Sequence, residues 1–334
     1  MTLRAGDAIL RAMARLIITN GDSAADLLVA AGLDGDILPW RDVLHEGPIV
    51  GGGLERSRAV RSAFLAGRFS LEPGEIAAEM AERDAVLAGH AAYDRVELWF
   101  EHDLYDQLQL LQILSFFADE NRTEGVSLIQ ADDYLGAQTA DTILRFTSRA
   151  QAVDKEMLDA ADLLWADLAM PTPEALIRRL DEPADDLPFA VPALHRFLEE
   201  LPAPRTGLGR TEATALAHLT DQPRSAIDLF RRAITAEQAA FMGDLSFFLM
   251  LQDLADCTAP LIAGLAPADE DDAERYRRPL SLTETGRQVL AAEADHIRLS
   301  GIDRWWAGTR LSGRAPWRYD RDMMTLVAPE AGGA

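Results

Sequence analysis

The sequence predicts an α/β protein with a mostly parallel sheet and flanking helices, followed by a C-terminal, mainly helical winged-helix-like module. In the first 137 residues, short and nearly continuous apolar strands alternate with helices, which is typical of a parallel sheet covered on both faces. From residue 205 onward, three helices precede a two-stranded ribbon, which is winged-helix order. These two patterns predict the fold class.

The α/β part is predicted element by element. A β-prone run begins it, and Asp22 or Ser23 and then Gly32 supply the start and stop signals of the first helix. Apolar residues at helical spacing, such as Leu104, Leu108 and Leu111, predict the helix that follows the third strand. The predicted strands are 16–19, 36–40, 95–100 and 126–130, and the predicted helices are 24–31, 55–67, 73–89 and 103–118.

Four regions follow from this pattern. They are an N-terminal extension (1–15), an α/β domain with the ligand site (16–137), a helical connecting region (138–204) and the winged-helix-like module (205–330). The run LPAP at 201–204 predicts the last boundary. In the module, the predicted helices are 211–219, 225–234, 237–256 and 283–290, and the predicted strands are 260–265 and 279–282.

Charge and composition limit the function. The 334-residue chain has a formal charge of −23. From Arg205 onward there are 15 basic and 19 acidic residues, a net charge of −4, so residues 1–204 carry the remaining −19. The negative electrostatic field of such a protein repels nucleic acid and disfavours it as a partner. Apolar runs are too short for a membrane span, and the single cysteine, Cys257, excludes an intramolecular disulfide and a Cys-rich zinc site. We therefore expect a cytoplasmic protein of undetermined oligomeric state.

Polar clusters follow three predicted strands, beginning at Asn20, Arg41 and Glu101. In open α/β sheets, ligands bind outside the carboxyl ends of the strands, so we expect these clusters to form one site. The predicted catalytic residues are His102, His45, Glu101, Asp42 and Asp22. The predicted ligand-binding residues are Asn20, Gly21, Ser23, Trp40, Arg41, Asp103, Tyr105, Asp106, Gln107 and Arg304.

Several of these residues have structural alternatives. Asp22 can simply cap a helix, and capping explains one of Asp103 and Asp106. A histidine among carboxylates is either a general base or a metal ligand. The clusters lack H-x-H, H-E-x-x-H and D-x-D spacing, so a divalent metal has only weak support and the cofactor remains open. No complete dinucleotide-binding or Walker motif is present.

The C-terminal region has two possible roles. The predicted third helix contains no lysine or arginine, which favours a packing or interaction module over a DNA reader. The tail has the composition of a phosphate- and base-binding segment. Alternatively, it packs back across the acidic first domain with its arginines paired, or supplies Arg304 or Arg310 to an anionic ligand. The tail residues are Arg298, Arg304, Arg310, Arg314, Arg318 and Arg321, interleaved with Trp305, Trp306, Trp317 and Tyr319.

Long blocks of the chain resemble a bacterial family, the "domain of unknown function 1835" family. The blocks are ITNGDSAA (18–25), LPWRDVLHEGP (38–48) and WFEHDLYDQL (99–108). Two later blocks, FMGDLSF (241–247) and GIDRW (301–305), resemble the companion domain usually found C-terminal to it. The first fourteen residues depart from the family pattern. The resemblance implies the domain partition and implies no activity.

Two functions fit the sequence. The first is an enzyme, a hydrolase or group transferase, acting on a small anionic substrate such as a phosphate- or nucleotide-containing molecule. There His102 or His45 is the base or a metal ligand, and Arg41 and Arg304 hold the anion. The second is a ligand-responsive regulator whose winged-helix-like module binds DNA or a protein partner. A closed pocket that joins His45, His102 and Asp22 is expected for the enzyme.

Overall fold

The computed structural model describes residues 14–182, 185–266 and 273–329. Residues 1–13 of the predicted N-terminal extension lie outside the described residues.

The strands are β1 (Arg15–Asn20), β2 (Asp36–Trp40), β3 (Arg95–Glu101), β4 (Val126–Ala131), β5 (Gln151–Ala152), β6 (Arg224–Ser225), β7 (Ile262–Ala263), β8 (Pro279–Leu282), β9 (Ile302–Trp306), β10 (Thr309–Gly313), β11 (Arg318–Asp320) and β12 (Thr325–Val327). The helices are α1 (Gly21–Ala30), α2 (Gly53–Phe69), α3 (Pro73–Ala88), α4 (Leu104–Asp119), α5 (Ala140–Ile143), α6 (Lys155–Leu168), α7 (Glu174–Arg179), α8 (Ala190–Leu198), α9 (Arg210–Ala217), α10 (Ala226–Ala236), α11 (Asp244–Asp256), α12 (Glu284–Leu290) and α13 (His296–Ser300).

The main sheet has five strands in the order β2-β1-β3-β4-β5. The first four are parallel, which confirms the predicted mostly parallel sheet, and β5 is antiparallel to β4. Strand β5 comes from the predicted connecting region, and two residues are too short to leave a hydrophobic pattern. Because β2 and β3 lie on opposite sides of β1, the direction of winding reverses between β1 and β3. Open α/β sheets bind ligands at such a reversal.

Apolar layers cover both faces of the main sheet. On one face, Ile17 and Trp99 pack with α1 and Phe146. On the other, Ile18 and Leu98 pack with α4. Helix α4 is in turn covered by α6 and α8, so nearly all of its residues are buried. That double coverage explains why apolar residues occur on every side of α4, and its buried glutamines donate hydrogen bonds, such as that of Gln109 to the Asp42 carbonyl.

The C-terminal part has a smaller core of its own. Helices α9, α10 and α11 are followed by β7 and β8, and β6 completes an antiparallel sheet in the order β6-β8-β7. Helix α11 begins at Asp244, seven residues later than the predicted 237. Tertiary contacts hold the intervening segment out of the helix. Glu237 is paired with Arg196 at 2.7 Å, and the Ala240 amide donates to the Tyr134 hydroxyl at 2.6 Å.

The arginine- and tryptophan-rich tail packs against the rest of the protein. Trp306 and Tyr319 are buried in the same core as α4. The Trp306 ring stacks on Phe197 at a centroid distance of 4.7 Å, and its indole nitrogen donates to the Phe197 carbonyl. The tail arginines Arg304, Arg310 and Arg318 bind carboxylates of the C-terminal part. Arg314 and Arg321 donate to backbone carbonyls. Packing back is therefore observed, although these carboxylates do not belong to residues 16–137. Among the described helices, none combines the length and apolarity that crossing a membrane requires.

Candidate functional site

Three carboxyl groups lie where the sheet reverses its winding, between the carboxyl ends of β1 and β3. The side-chain oxygens of Glu101, Asp103 and Asp106 approach within 4.8 Å of one another, and all three residues are buried. Asp103 caps α4 by accepting the Asp106 amide at 3.2 Å, so the predicted capping role belongs to Asp103. The Asn20 side-chain amide donates to Asp106. We call these four residues the switch-point cluster.

Backbone groups hold the switch-point cluster in place. The Glu101 amide donates to Asp106 Oδ1 at 2.7 Å, and the Leu135 amide donates to Glu101 Oε1 at 2.6 Å. Gln107 donates its side-chain amide to the Glu101 carbonyl at 2.6 Å. The sequence-predicted residues Asn20, Glu101, Asp103, Asp106 and Gln107 are thus brought together, as the shared edge of parallel strands requires.

Burial raises the pKa of each carboxyl in the switch-point cluster. Removal from water disfavours the charged form, and for Glu101 and Asp106 the neighbouring carboxyls disfavour it further. The pKa of Glu101 rises to about 8 and that of Asp103 to about 6. The pKa of Asp106 also lies well above its ordinary value, with burial as the main cause. These groups therefore share protons near neutral pH.

The switch-point cluster also offers oxygen ligands of the kind that hard divalent cations prefer. Within the described part of the chain, Glu101, Asp103 and Asp106 form the one group of side chains close enough together to hold an ion. Each of these carboxyls already accepts a hydrogen bond from a backbone amide. Either shared protons or a bound cation would relieve the repulsion among these closely spaced carboxyls.

The loop between β2 and α2 (41–52) is organised around one buried arginine. Arg61 of α2 forms a bidentate ion pair with Asp42, with N–O distances of 2.7 and 3.0 Å. Its remaining hydrogens go to the carbonyls of Val43 and Glu46. Both charged side chains are at most 1% exposed. Asp42, predicted to be catalytic, is thus engaged in fixing this loop.

His45 lies in this loop and lines two cavities. The first has a volume of about 540 Å³, and its polar lining includes His45, Tyr105 and Arg41. The His45 ring packs edge-on against Phe241 at 5.2 Å and lies 6.0 Å from the Tyr105 ring. Both His45 ring nitrogens are buried without a hydrogen-bond partner. Burial lowers the pKa of His45, so the imidazole is neutral at pH 7.

Gly47 gives the loop its shape. Its φ is +78°, and a Cβ at this position would lie 2.3 Å from the Phe64 ring. We expect Gly47→Ala to lower the free energy of unfolding by about 1–3 kcal/mol, because the left-handed backbone and the ring contact both penalise a side chain. Urea denaturation measures this effect.

Gly67→Ala is the matched control for Gly47→Ala. Gly67 lies in α2, where its Cβ would meet open space. Alanine there should stabilise the chain by about 0.5–1 kcal/mol. Equal effects of the two substitutions would contradict the packing argument for Gly47.

Of the other predicted site residues, Arg41 also lines the His45 cavity, whereas most lie apart from it. Asp22 and Arg41 form an ion pair on the surface, with side chains 63% and 55% exposed. Asp22 lies in the first turn of α1, where Gly21 (φ +49°) begins the helix and Ser23 is exposed. Trp40 is fully buried beneath the Arg83 guanidinium, at 3.9 Å from the ring centroid.

His102 and Arg304 occupy two further places. The His102 ring lies 5.3 Å from Tyr134 and 6.0 Å from Phe189. Its Nδ1 is buried without a partner, and burial lowers its pKa. Arg304 is paired with Glu212 at 2.7 Å. The two cavities that His45 borders include neither His102 nor Asp22 in their linings, so the expected joint pocket of these three residues is not formed there.

Sequence reasoning missed residues that reach the site from other elements. Arg61 had a detectable signal, because Ser57, Arg61 and Leu65 recur every four residues along the buried side of α2. Phe241 and Ser246 line the His45 cavity from the C-terminal part. They are separated from His45 by nearly 200 residues, and no sequence spacing indicates that contact. Comparison of the chain with protein-family models and with curated proteins found no match.

Proposed function

We propose that the chain is an enzyme that binds a small molecule in the cavity beside His45 and uses His45 as a general base. One observation carries the proposal: a neutral imidazole lies buried at a cavity wall with both nitrogens unpartnered. Buried polar groups are nearly always hydrogen-bonded, so an exception at a cavity is a candidate functional group. A neutral imidazole can accept a proton from water or a hydroxyl, which fits hydrolysis or group transfer.

The cavity lining supports an apolar substrate body with an anionic group at the mouth. Phe69, Ile76 and Met80 contribute apolar walls. Arg41 lines the same cavity, and its pair with Asp22 is exposed. Exposed ion pairs contribute little free energy, so Arg41 can exchange Asp22 for a ligand anion. Arg304 is already bonded to Glu212 and the Glu200 carbonyl and lines the other cavity, so we no longer assign it to this substrate.

Tyr105 is the second polar group at this site. Burial raises the pKa of its phenol above the ordinary value, so Tyr105 remains protonated. A protonated phenol beside His45 can donate a hydrogen bond to an oxygen on which charge develops. The proposal therefore assigns His45 as base, Tyr105 as donor and Arg41 as anion-binding residue.

A hydrolysis screen tests the enzyme proposal. We expect the wild type to hydrolyse at least one of p-nitrophenyl phosphate, p-nitrophenyl acetate and p-nitrophenyl butyrate, and His45→Asn to lower that rate by about 10²–10⁴-fold. The rate should hold as pH falls through 6.5, because His45 stays neutral below the ordinary histidine pKa.

His195→Gln is the matched control for the hydrolysis screen, since His195 borders neither cavity. Its rate should equal that of the wild type. A rate that His45→Asn leaves unchanged would contradict the assignment of the base. Wild-type protein without hydrolysis, and without a thermal shift from these esters or their acid products, would contradict the enzyme proposal itself.

A second proposal is a ligand-responsive regulator, which the order of the C-terminal elements favours. Three helices and an antiparallel sheet in the order β6-β8-β7 support a winged-helix-like arrangement. Helix α11, in the position of a recognition helix, borders both cavities and is paired with Arg68 of α2 through Asp253 at 2.9 Å. A ligand bound beside His45 would therefore contact α11 directly. Because α11 has no basic residue, we propose a protein partner rather than DNA.

Fluorescence anisotropy with labelled duplex DNA distinguishes the two partners of the proposed regulator. We expect no salt-sensitive binding at micromolar protein, and tight binding would support DNA instead.

We also propose that the chain belongs to the domain of unknown function 1835 family, because five sequence blocks resemble it. The single cysteine supports the proposal of a cytoplasmic location.

A further inference from the structure

A second cavity lies on the other side of His45 and Phe241. Its volume is about 520 Å³, within the range of small-molecule sites. The loop after β2 forms one wall, α11 a second, and the tail strand β9 a third. The proposed catalytic function uses the first cavity and leaves this one without a role.

Carboxylates outnumber guanidinium groups in the lining of the second cavity. The acidic residues are Glu46, Glu200, Glu212, Asp253 and Asp303, and the basic residues are Arg68, Arg304 and Arg310. Each of these arginines is paired with a lining carboxylate: Arg68 with Glu46 and Asp253, Arg304 with Glu212, and Arg310 with Asp303. The guanidinium groups are therefore already neutralised, and an anionic ligand would have to displace a carboxylate from one of them.

Glu200 adds a carboxylate whose partners come from outside the lining. Arg196 approaches it at 2.7 Å, and the Thr211 hydroxyl donates to it at 2.6 Å. The same guanidinium also binds Glu237 at 2.7 Å, so one positive charge serves two carboxylates. The surplus around the cavity remains negative.

Three residues of this lining carry buried polar atoms that have no hydrogen-bond partner. Glu46 Oε1 is buried without a hydrogen-bond partner, although its other oxygen accepts from Arg68 at 2.8 Å. His296 Nδ1 is likewise buried and unpartnered, as are the nitrogens of His45. All three residues line the cavity. A carboxylate oxygen only accepts hydrogen bonds, so the missing partner of Glu46 must be a donor.

Aromatic rings supply the remaining wall. Trp305, Trp306 and Phe197 line the cavity together with Phe241. The faces of such rings attract cations, and indole does so most strongly. Trp306 and Phe197 stack on each other and Arg196 lies over Phe241, so Trp305 is the ring that a ligand would contact. Surplus carboxylate, an unpartnered acceptor and aromatic faces are together the chemistry that recognises an organic ammonium ion.

We propose that the second cavity binds an organic ammonium ion, with Glu46 Oε1 accepting an N–H from it and Trp305 packing against its carbon skeleton. The charge count, the unpartnered oxygen and the rings carry this inference. It holds whether or not the His45 cavity is catalytic.

Three matched aromatic probes test the proposal at neutral pH. Benzylamine is cationic, benzyl alcohol is a neutral analogue of similar shape, and benzoate is anionic. We expect benzylamine at millimolar concentration to raise the melting temperature and to give a measurable dissociation constant by calorimetry. Benzyl alcohol and benzoate should bind at least tenfold more weakly.

Two variants locate the binding site. Glu46→Gln keeps the shape and removes the charge, and it should weaken benzylamine binding at least tenfold. Trp305→Leu should weaken it severalfold and keeps the test valid if Glu46→Gln does not fold. Asp159→Asn, an exposed carboxylate paired with Lys155 on α6, is the matched control and should leave binding unchanged.

The outcomes separate cleanly from the hydrolysis experiment, because they are read from binding alone. Equal affinity for benzylamine and benzyl alcohol would overturn the proposal. Unchanged affinity in both Glu46→Gln and Trp305→Leu would also overturn it. So would the absence of binding by benzylamine, cyclohexylamine and methylamine alike, which would leave ordered water as the partner of the buried acceptors.

Discussion

Arg61→Met is expected to lower the free energy of unfolding by about 3–5 kcal/mol, the usual cost of leaving one charge of a buried ion pair alone. Arg61 and Asp42 are at most 1% exposed, so water cannot replace the lost guanidinium. The substitution also frees the carbonyls of Val43 and Glu46, which hold the loop bearing His45. Urea denaturation followed by circular dichroism measures the loss.

A double variant separates charge from packing at the Arg61 position. Arg61→Met combined with Asp42→Leu removes both charges and should be more stable than Arg61→Met alone, because an apolar pair leaves no isolated ion. Lys155→Met, which breaks an exposed pair with Asp159, should leave stability unchanged within error. If Arg61→Met had no larger effect than Lys155→Met, the buried pair would not organise the loop.

Glu101→Gln is expected to stabilise the protein at pH 8 and to flatten its stability between pH 5 and 8. Folding raises the pKa of Glu101 from 4.5 to about 8 and that of Asp103 from 3.8 to about 6. The folded chain thus keeps protons that the unfolded chain has released. The free energy of unfolding of the wild type therefore falls as pH rises through this window, by up to about 1.4 kcal/mol per pH unit for each such proton.

Glutamine can take the place of the protonated glutamate. Its amide oxygen can accept from the Leu135 amide as Glu101 Oε1 does, and its NH₂ group can donate to Asp103. At pH 8 we expect a gain of about 1–3 kcal/mol, since one unit of pKa shift corresponds to about 1.4 kcal/mol. Denaturant titrations at pH 5, 6, 7 and 8 measure the difference between variant and wild type.

The exposed Glu75→Gln is the control for Glu101→Gln and should not alter the pH dependence. A difference between Glu101→Gln and wild type that stays constant across pH would contradict the shared-proton account. Repeating the series with Mg²⁺ and with a chelator tests whether the switch-point cluster holds a cation instead of shared protons. Stabilisation of the wild type by Mg²⁺ at pH 8, abolished in Glu101→Gln, would indicate a bound cation in place of the protons.

Local patterns in the sequence predicted the α/β part closely. Strand β2 has the predicted bounds, and α4 begins beside Asp103, one of the two residues predicted as its cap. Both depend on neighbouring residues: a short apolar run for the strand, and a side chain that satisfies the first helical amides for the cap. The predicted start of α11 was wrong by seven residues, because Arg196 and Tyr134, distant in sequence, hold residues 237–243 out of the helix.

In the candidate site, too, some features follow from the local sequence and others depend on tertiary contacts. The sequence by itself determined that Asn20, Glu101, Asp103 and Asp106 lie together, because the carboxyl ends of neighbouring parallel strands share one edge of the sheet. Only the tertiary structure decided which polar groups remain unpartnered. It assigned Asp42 to Arg61 and left the nitrogens of His45 free, facing Phe241 of a distant segment. Such pairing depends on which side chains meet across elements, and no local spacing in the chain encodes that.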